Sequence, residues 1–127
     1  MDRLVDLDAA AQEIESRRTT WEQAGFTVGQ KTWHDFTAPW PQTLHTDRAA
    51  VEDPDSVGIR LDHDGGPALE IVLFTGGWAD VTAIDFQIHE LVALDGGDIT
   101  TPAAFGDLLD QAFSFVHRSL QRRDDTG

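Results

Sequence analysis

The stretch FTGGWADVTAIDF, residues 74–86, decides how this chain is read. The glycine pair Gly76-Gly77 separates two runs, PALEIVLF and WADVTAIDF, both rich in apolar and β-branched residues. Two such runs around two glycines predict a β-hairpin closed by a two-residue turn. Pairing about that turn sets Phe74 opposite Ala79, Leu73 opposite Asp80, Val72 opposite Val81, Ile71 opposite Thr82 and Leu69 opposite Ile84. One face then carries Leu69, Ile71, Leu73, Ile84 and Phe86, the predicted core face. The other carries Val72, Phe74, Val81 and Ala83 with Glu70 and Asp85, a semi-apolar face. A slip of one residue exchanges the two faces.

Working outward, SVGIRLDHD (56–64) alternates Val57, Ile59 and Leu61 with Gly58, Arg60 and Asp62, which predicts a half-buried strand. Asp64-Gly65-Gly66-Pro67 turns the chain. FTVGQKTWHDF (26–36) reads as a strand, with Gly29 marking a bulge. Residues 37–55 form a long connection whose Pro39, Pro41 and Pro54 forbid a central strand. Trp33 and Trp40 flank it, as cover for the core or as binding anchors. After Phe86, a turn near Gln87 leads to a short strand at 90–94, with a turn of helix as the alternative. The sheet region thus spans about 26–94.

Both ends are predicted to be helical. Over residues 2–24, Leu4, Leu7, Ala11, Ile14 and Trp21 fall on one stripe, Glu13 and Arg17 form an i,i+4 pair, and Gly25 stops the helix. Over 102–122, Thr101 is the N-cap and Pro102 the first helical residue. There Phe105, Leu108, Leu109, Ala112, Phe113, Val116 and Leu120 form a continuous apolar face. Asp107 and Asp110 near the start, and Arg118, Arg122 and Arg123 near the end, suit the helix dipole. The expected fold is α+β: one domain, with an antiparallel sheet of about four to five strands and both terminal helices on one face.

Composition narrows the function. The chain has 127 residues and no Cys, which rules out disulfides, thiol chemistry and Cys-ligated metal. The net charge is −14, and residues 51–110 supply −12 of it, with thirteen acids against Arg60 alone. Such a surface repels nucleic acid and anionic membranes and attracts basic proteins. Equally, it serves solubility or reflects a compositional bias. The opening MDRLVDLDAAAQEIE lacks the basic start and apolar run of a signal peptide, and no stretch is apolar over a membrane-spanning length. A soluble, cytoplasmic protein is expected.

No catalytic constellation emerges. The glycine pairs feed strands and not helix N-termini, so they cradle no phosphate. DHDGG at 62–66 lacks the oxygen ligands a calcium loop needs at its fifth and twelfth places, which fall on Gly66 and Leu73. His34, His45, His63, His89 and His117 make no paired-ligand spacing. Ser114 and His117 lie one helical turn apart without a nucleophile elbow. Carboxylates are too abundant for any pair to be informative. No cofactor, metal site or catalytic residue is assigned.

The run SVGIRLDHDGGPALEIVLFTGGWADVTAIDF followed by ITTPAAFGDLLDQAFSFV resembles small immunity proteins of bacterial polymorphic toxin systems, closest to the TriTu-type group. The likeness covers roughly residues 56–117 and leaves the N-terminal half unmatched. It implies binding and neutralisation of a cognate toxin, with no catalytic residues to carry over. The function expected first is therefore a non-enzymatic acidic binding protein that blocks a basic toxin or nuclease. Asp62, Asp64, Asp80 and Asp85 are the expected contacts, with Trp78 as anchor. The alternative is a small chaperone, adaptor or dimerisation module that uses Val72, Phe74, Val81 and Ala83.

Overall fold

The computed structural model describes residues 4–37 and 44–126, with side chains as far as Arg122. In chain order the elements are α1 (Leu7–Glu15), α2 (Arg18–Gln23), β1 (Thr27–Val28), β2 (Thr32–Asp35), a 3₁₀ turn at Arg48–Ala50, β3 (Pro54–His63), β4 (Gly66–Phe74), β5 (Trp78–Asp85), β6 (Glu90–Leu94) and α3 (Pro102–Thr126). The sheet is antiparallel throughout, ordered β1–β3–β4–β5–β6, with β2 beside β3 on the same side as β1. Helices α1 and α3 pack on each other and on one sheet face. The chain is an α+β protein with its core between that face and the helices. Val57, Ile59, Leu61, Leu69, Ile71 and Leu73 meet Ile14, Phe105, Leu109 and Val116 there, all at most 2% exposed.

The hairpin at 74–86 forms, but one residue out of the predicted register. Phe74 pairs with Trp78, Leu73 with Ala79, Val72 with Asp80, Ile71 with Val81 and Leu69 with Ala83. Thr75 joins the loop, making it three residues long. Only Gly77 is left-handed (φ 90°), whereas a two-residue turn of this kind needs both glycines there. The Gly77 N–H donates to the Phe74 carbonyl (3.0 Å). Thr75 is held from outside as well, donating to the Asp55 carbonyl and accepting from the Leu4 N–H. The slip exchanges the faces of β5. Ala79, Val81 and Ala83 are buried in the core, and Ile84 stands on the far face. Phe86 is buried as expected. By contrast, Asp64 (φ 54°) and Gly65 (φ 82°) make a true two-residue turn between His63 and Gly66.

The N-terminal helix is broken where one continuous helix is expected. Asp6 caps α1, its carboxylate accepting from the Asp8 and Ala9 N–H groups, so Leu4 lies outside the helix and is 52% exposed. At Ser16-Arg17 the i→i−4 hydrogen-bond pattern is interrupted, although both residues stay in the right-handed α region. The Arg17 N–H bonds the Ile14 carbonyl, and the Arg17 guanidinium takes the Glu13 carbonyl. Arg17 also forms a two-point pair with Asp110 of α3 (2.7 and 3.2 Å), so the break is fixed by a tertiary contact. The strand expected at 26–36 is two short pieces on one edge, β1 and β2, separated by residues 29–31. The short strand at 90–94 forms as β6. Helix α3 runs on past its expected end, with Ala104 N–H bonded to the Thr101 cap. Pro39, Trp40 and Pro41, and residues 2 and 3 of the predicted first helix, lie outside the described residues.

Candidate functional site

Antiparallel pairing fixes which side chains share the sheet face that the helices leave open. Three cross-strand rows stand on it: His34, Ser56, Phe74 and Trp78; Thr32, Gly58, Val72 and Asp80; Arg60, Glu70, Thr82 and Ala93. Ile84 and Leu91 pair at the far end of the same face. Trp78 is 47% exposed and stacks on Phe74, with ring centroids 4.0 Å apart and planes at 15°. Asp80, Glu70 and Thr82 are exposed beside it. Trp78 and Asp80 are two apart on one strand, so about 7 Å separates their Cα atoms. This places a flat aromatic surface next to a carboxylate, an arrangement suited to a cationic side chain.

The five residues expected to meet a partner do not form one group. Trp78 and Asp80 lie together at the β4–β5 hairpin. Asp62 and Asp64 lie at the β3–β4 turn, about 13 Å along the sheet from Asp80 at the nearest and about 26 Å from Trp78 at the farthest. Asp62 is engaged by Arg60, with Nε to Oδ1 at 2.6 Å. The Asp62 contact also holds the Arg60 guanidinium charged more firmly than usual. Asp64 is exposed at the turn. Asp85 follows the register slip onto the helix side, contrary to expectation. There it lines a cleft of about 100 Å³ with Phe115, Arg118, Ser119 and Arg122, and its carboxylate accepts from the Gln87 N–H. Of the semi-apolar surface Val72, Phe74, Val81 and Ala83, only Val72 and Phe74 remain on the open face.

Two features had no visible cue in the sequence. A bulge in the β2–β3 ladder leaves Asp55 without an opposite residue, between Pro54 and Ser56. The Asp55 carboxylate meets His34 Nδ1 at 2.7 Å, and Ser56 stands across the ladder from His34. Ser56 is only 3% exposed, which leaves its hydroxyl little access to a substrate. The second feature is the half-buried stack of Phe74 under Trp78, which depends on the three-residue loop. Ser114 and His117, adjacent on α3, go separate ways: Ser114 accepts from Arg118, while His117 stacks on Phe113.

Elsewhere the charges are used internally. A cleft of about 360 Å³ is lined by Leu4, Asp6, Asp8, Arg48, Pro54 and Thr75. Its Arg48 is committed to Asp8, to the Val51 carbonyl and to the face of Trp33. Glu15 is paired with Arg18 and Lys31, which hold its carboxyl down to about 2. Among the described residues, no group of three or more His, Asp or Glu side chains is placed to hold a metal ion. Among them, too, no helix is long and apolar enough to cross a membrane.

The class defined by these features is an antiparallel α+β sheet protein with one helix-covered face and one open face. No protein-family model, curated protein or solved structure matches the chain. The likeness to TriTu-type immunity proteins therefore rests on the quoted residues alone.

Proposed function

We propose that this chain is a non-enzymatic, cytoplasmic acidic binding protein, an immunity protein that neutralises a basic toxin or nuclease by covering its working surface. The observation that supports this most is the open sheet face, where half-exposed Trp78 on Phe74 adjoins Asp80 and Glu70. An exposed Trp among carboxylates offers an anchor for a basic partner's Arg or Lys, and the net charge of −14 speeds the encounter. Asp62, Asp64 and Asp85 contribute long-range attraction and make no contact at this anchor. The dimerisation alternative is weakened by the burial of Val81 and Ala83, two of its four residues.

The test is to screen the products of the neighbouring genes for a basic protein that binds this chain and to titrate that binding calorimetrically. Affinity is expected to fall at least tenfold between about 50 and 500 mM salt. Trp78→Ala is expected to cost about 2 kcal/mol of binding or more, and Asp80→Asn less. Equal binding at both salt concentrations, or full binding by Trp78→Ala, would remove this reading.

A further inference from the structure

The two edges of the sheet are treated differently. On the β1–β2 side the backbone is occupied. Arg18 Nη1 bonds the Val28 and Gly29 carbonyls, and Trp33 exchanges both backbone hydrogen bonds with His45. On the other side, β6 pairs with β5 alone among the described strands. Which of its groups face outward follows from the ladder. The Ala79 N–H donates to the Gly96 carbonyl (2.7 Å), and the register carries that line through Val81–Leu94, Ala83–Val92 and Asp85–Glu90. Hydrogen-bonded and non-hydrogen-bonded pairs alternate. Leu91 and Ala93 therefore aim their N–H and C=O groups away from the sheet.

The edge is unguarded along Leu91–Leu94: β6, Glu-Leu-Val-Ala-Leu, has neither Lys nor Pro, and its one charge is Glu90 at the start. Leu91 is 51% exposed and Ile88, just before the strand, 56%. The strand is bracketed by acids, Glu90 at its start and Asp95 just after its end. An unguarded edge with exposed apolar side chains and acidic ends has the form of a strand-addition site.

We infer that β6 is a docking edge that takes an extended segment of a basic protein partner as the next strand of the sheet. The partner backbone bonds Leu91 and Ala93, its apolar side chains cover Leu91 and Ile88, and basic residues at its ends meet Glu90 and Asp95. A second copy of this chain fits less well. Five residues of edge fall far short of the area a stable dimer buries, and two bodies of charge −14 repel. The inference takes from the proposed function only the partner's basic charge.

The probe is a short synthetic peptide of alternating valine and threonine with an arginine at each end. Amide hydrogen exchange at Leu91 and Ala93 is expected to slow at least tenfold with excess peptide, leaving Thr32 on the opposite edge unchanged. The same peptide N-methylated at alternate amides keeps its charge but cannot pair, and is expected to give no protection. Ala93→Pro removes an outward N–H without breaking an internal bond, and is expected to weaken binding at least tenfold. Ala93→Lys, which blocks the edge with no proline in the strand, is expected to do the same. Unchanged exchange at Leu91 and Ala93, or equal binding of the methylated peptide, overturns the inference. So does protection without peptide in a sample that sediments as a dimer, since a second copy is then the occupant. Loss of partner binding in Trp78→Ala but not in Ala93→Pro leaves the proposed function standing and removes this edge from it.

Discussion

Asp35 accepts hydrogen bonds from four donors: the Thr37 N–H and hydroxyl, and the N–H groups of Glu52 and Asp53. One carboxylate thus pins both ends of the long connection to β2. The Glu52 N–H is the chief reason its carboxyl lies below the usual range, with Thr37 adding to it. Glu15 is held down to about 2, first by Arg18 and then by Lys31. A carboxyl that binds its proton less readily when folded stabilises the fold fully above its unfolded value and loses that contribution as the pH falls through the folded one. Glu15→Gln is therefore expected to be less stable than the parent at pH 7, by about 1 kcal/mol or less because the side chain is partly exposed. The gap should close as the pH falls from about 4.5 to about 2. Denaturant melts across that range check it, and a gap that persists at pH 2 would assign the effect to packing. Neither role was legible in the sequence. Among so many acids, only the bulge and the folded connection mark Asp35, and only the break after α1 brings Glu15 to Lys31.

At the scale of elements, periodicity carried most of the reading. The α3 apolar face, β3, β6 and the terminal-helix arrangement follow from spacing and end signals that are local to each segment. The β4–β5 register does not. Asp64-Gly65 and Gly76-Gly77 look alike as turn signals, yet one makes a two-residue turn and the other is part of a three-residue loop. Thr75 decides the second case, through bonds to Asp55 and Leu4 that are remote in sequence. The candidate site depends on that register, since it sets the face of every β5 side chain: Trp78 is placed by it and Asp85 is moved by it. Beyond β6, Gly96 is set by close approach. A Cβ there would lie 2.4 Å from the Ala79 carbonyl oxygen, whereas at Gly97 the nearest atom is Asp95 Oδ1 at 3.6 Å. Gly96→Ala is expected to cost about 1–3 kcal/mol by forcing the ladder apart. Gly97→Ala should stay within about 0.5 kcal/mol. Urea melts of the two variants compare them directly, and equal midpoints would show that the backbone yields.

For the whole molecule, nine basic side chains face 23 acidic ones. Repulsion among the excess acids opposes compactness at low ionic strength, and salt screens it. Raising salt from about 20 to 500 mM is expected to stabilise the chain by about 1 kcal/mol, roughly 3–6 °C in Tm, even as its surface ion pairs weaken. A Tm that falls with salt would mean the ion pairs, such as Arg17–Asp110 and Arg48–Asp8, outweigh the net charge. The same charge should weaken partner binding as salt rises, so stability and affinity are expected to move in opposite directions in one titration. The unequal edges bear on how the molecule fails when concentrated. A fibre built by edge pairing needs two reactive edges on every subunit, so that each addition presents a fresh end. Here Arg18 and His45 have used one of them up. Edge-to-edge misassociation therefore terminates at a pair, and this protein is protected from growing polymers by its own closed side while its other side stays free to bind.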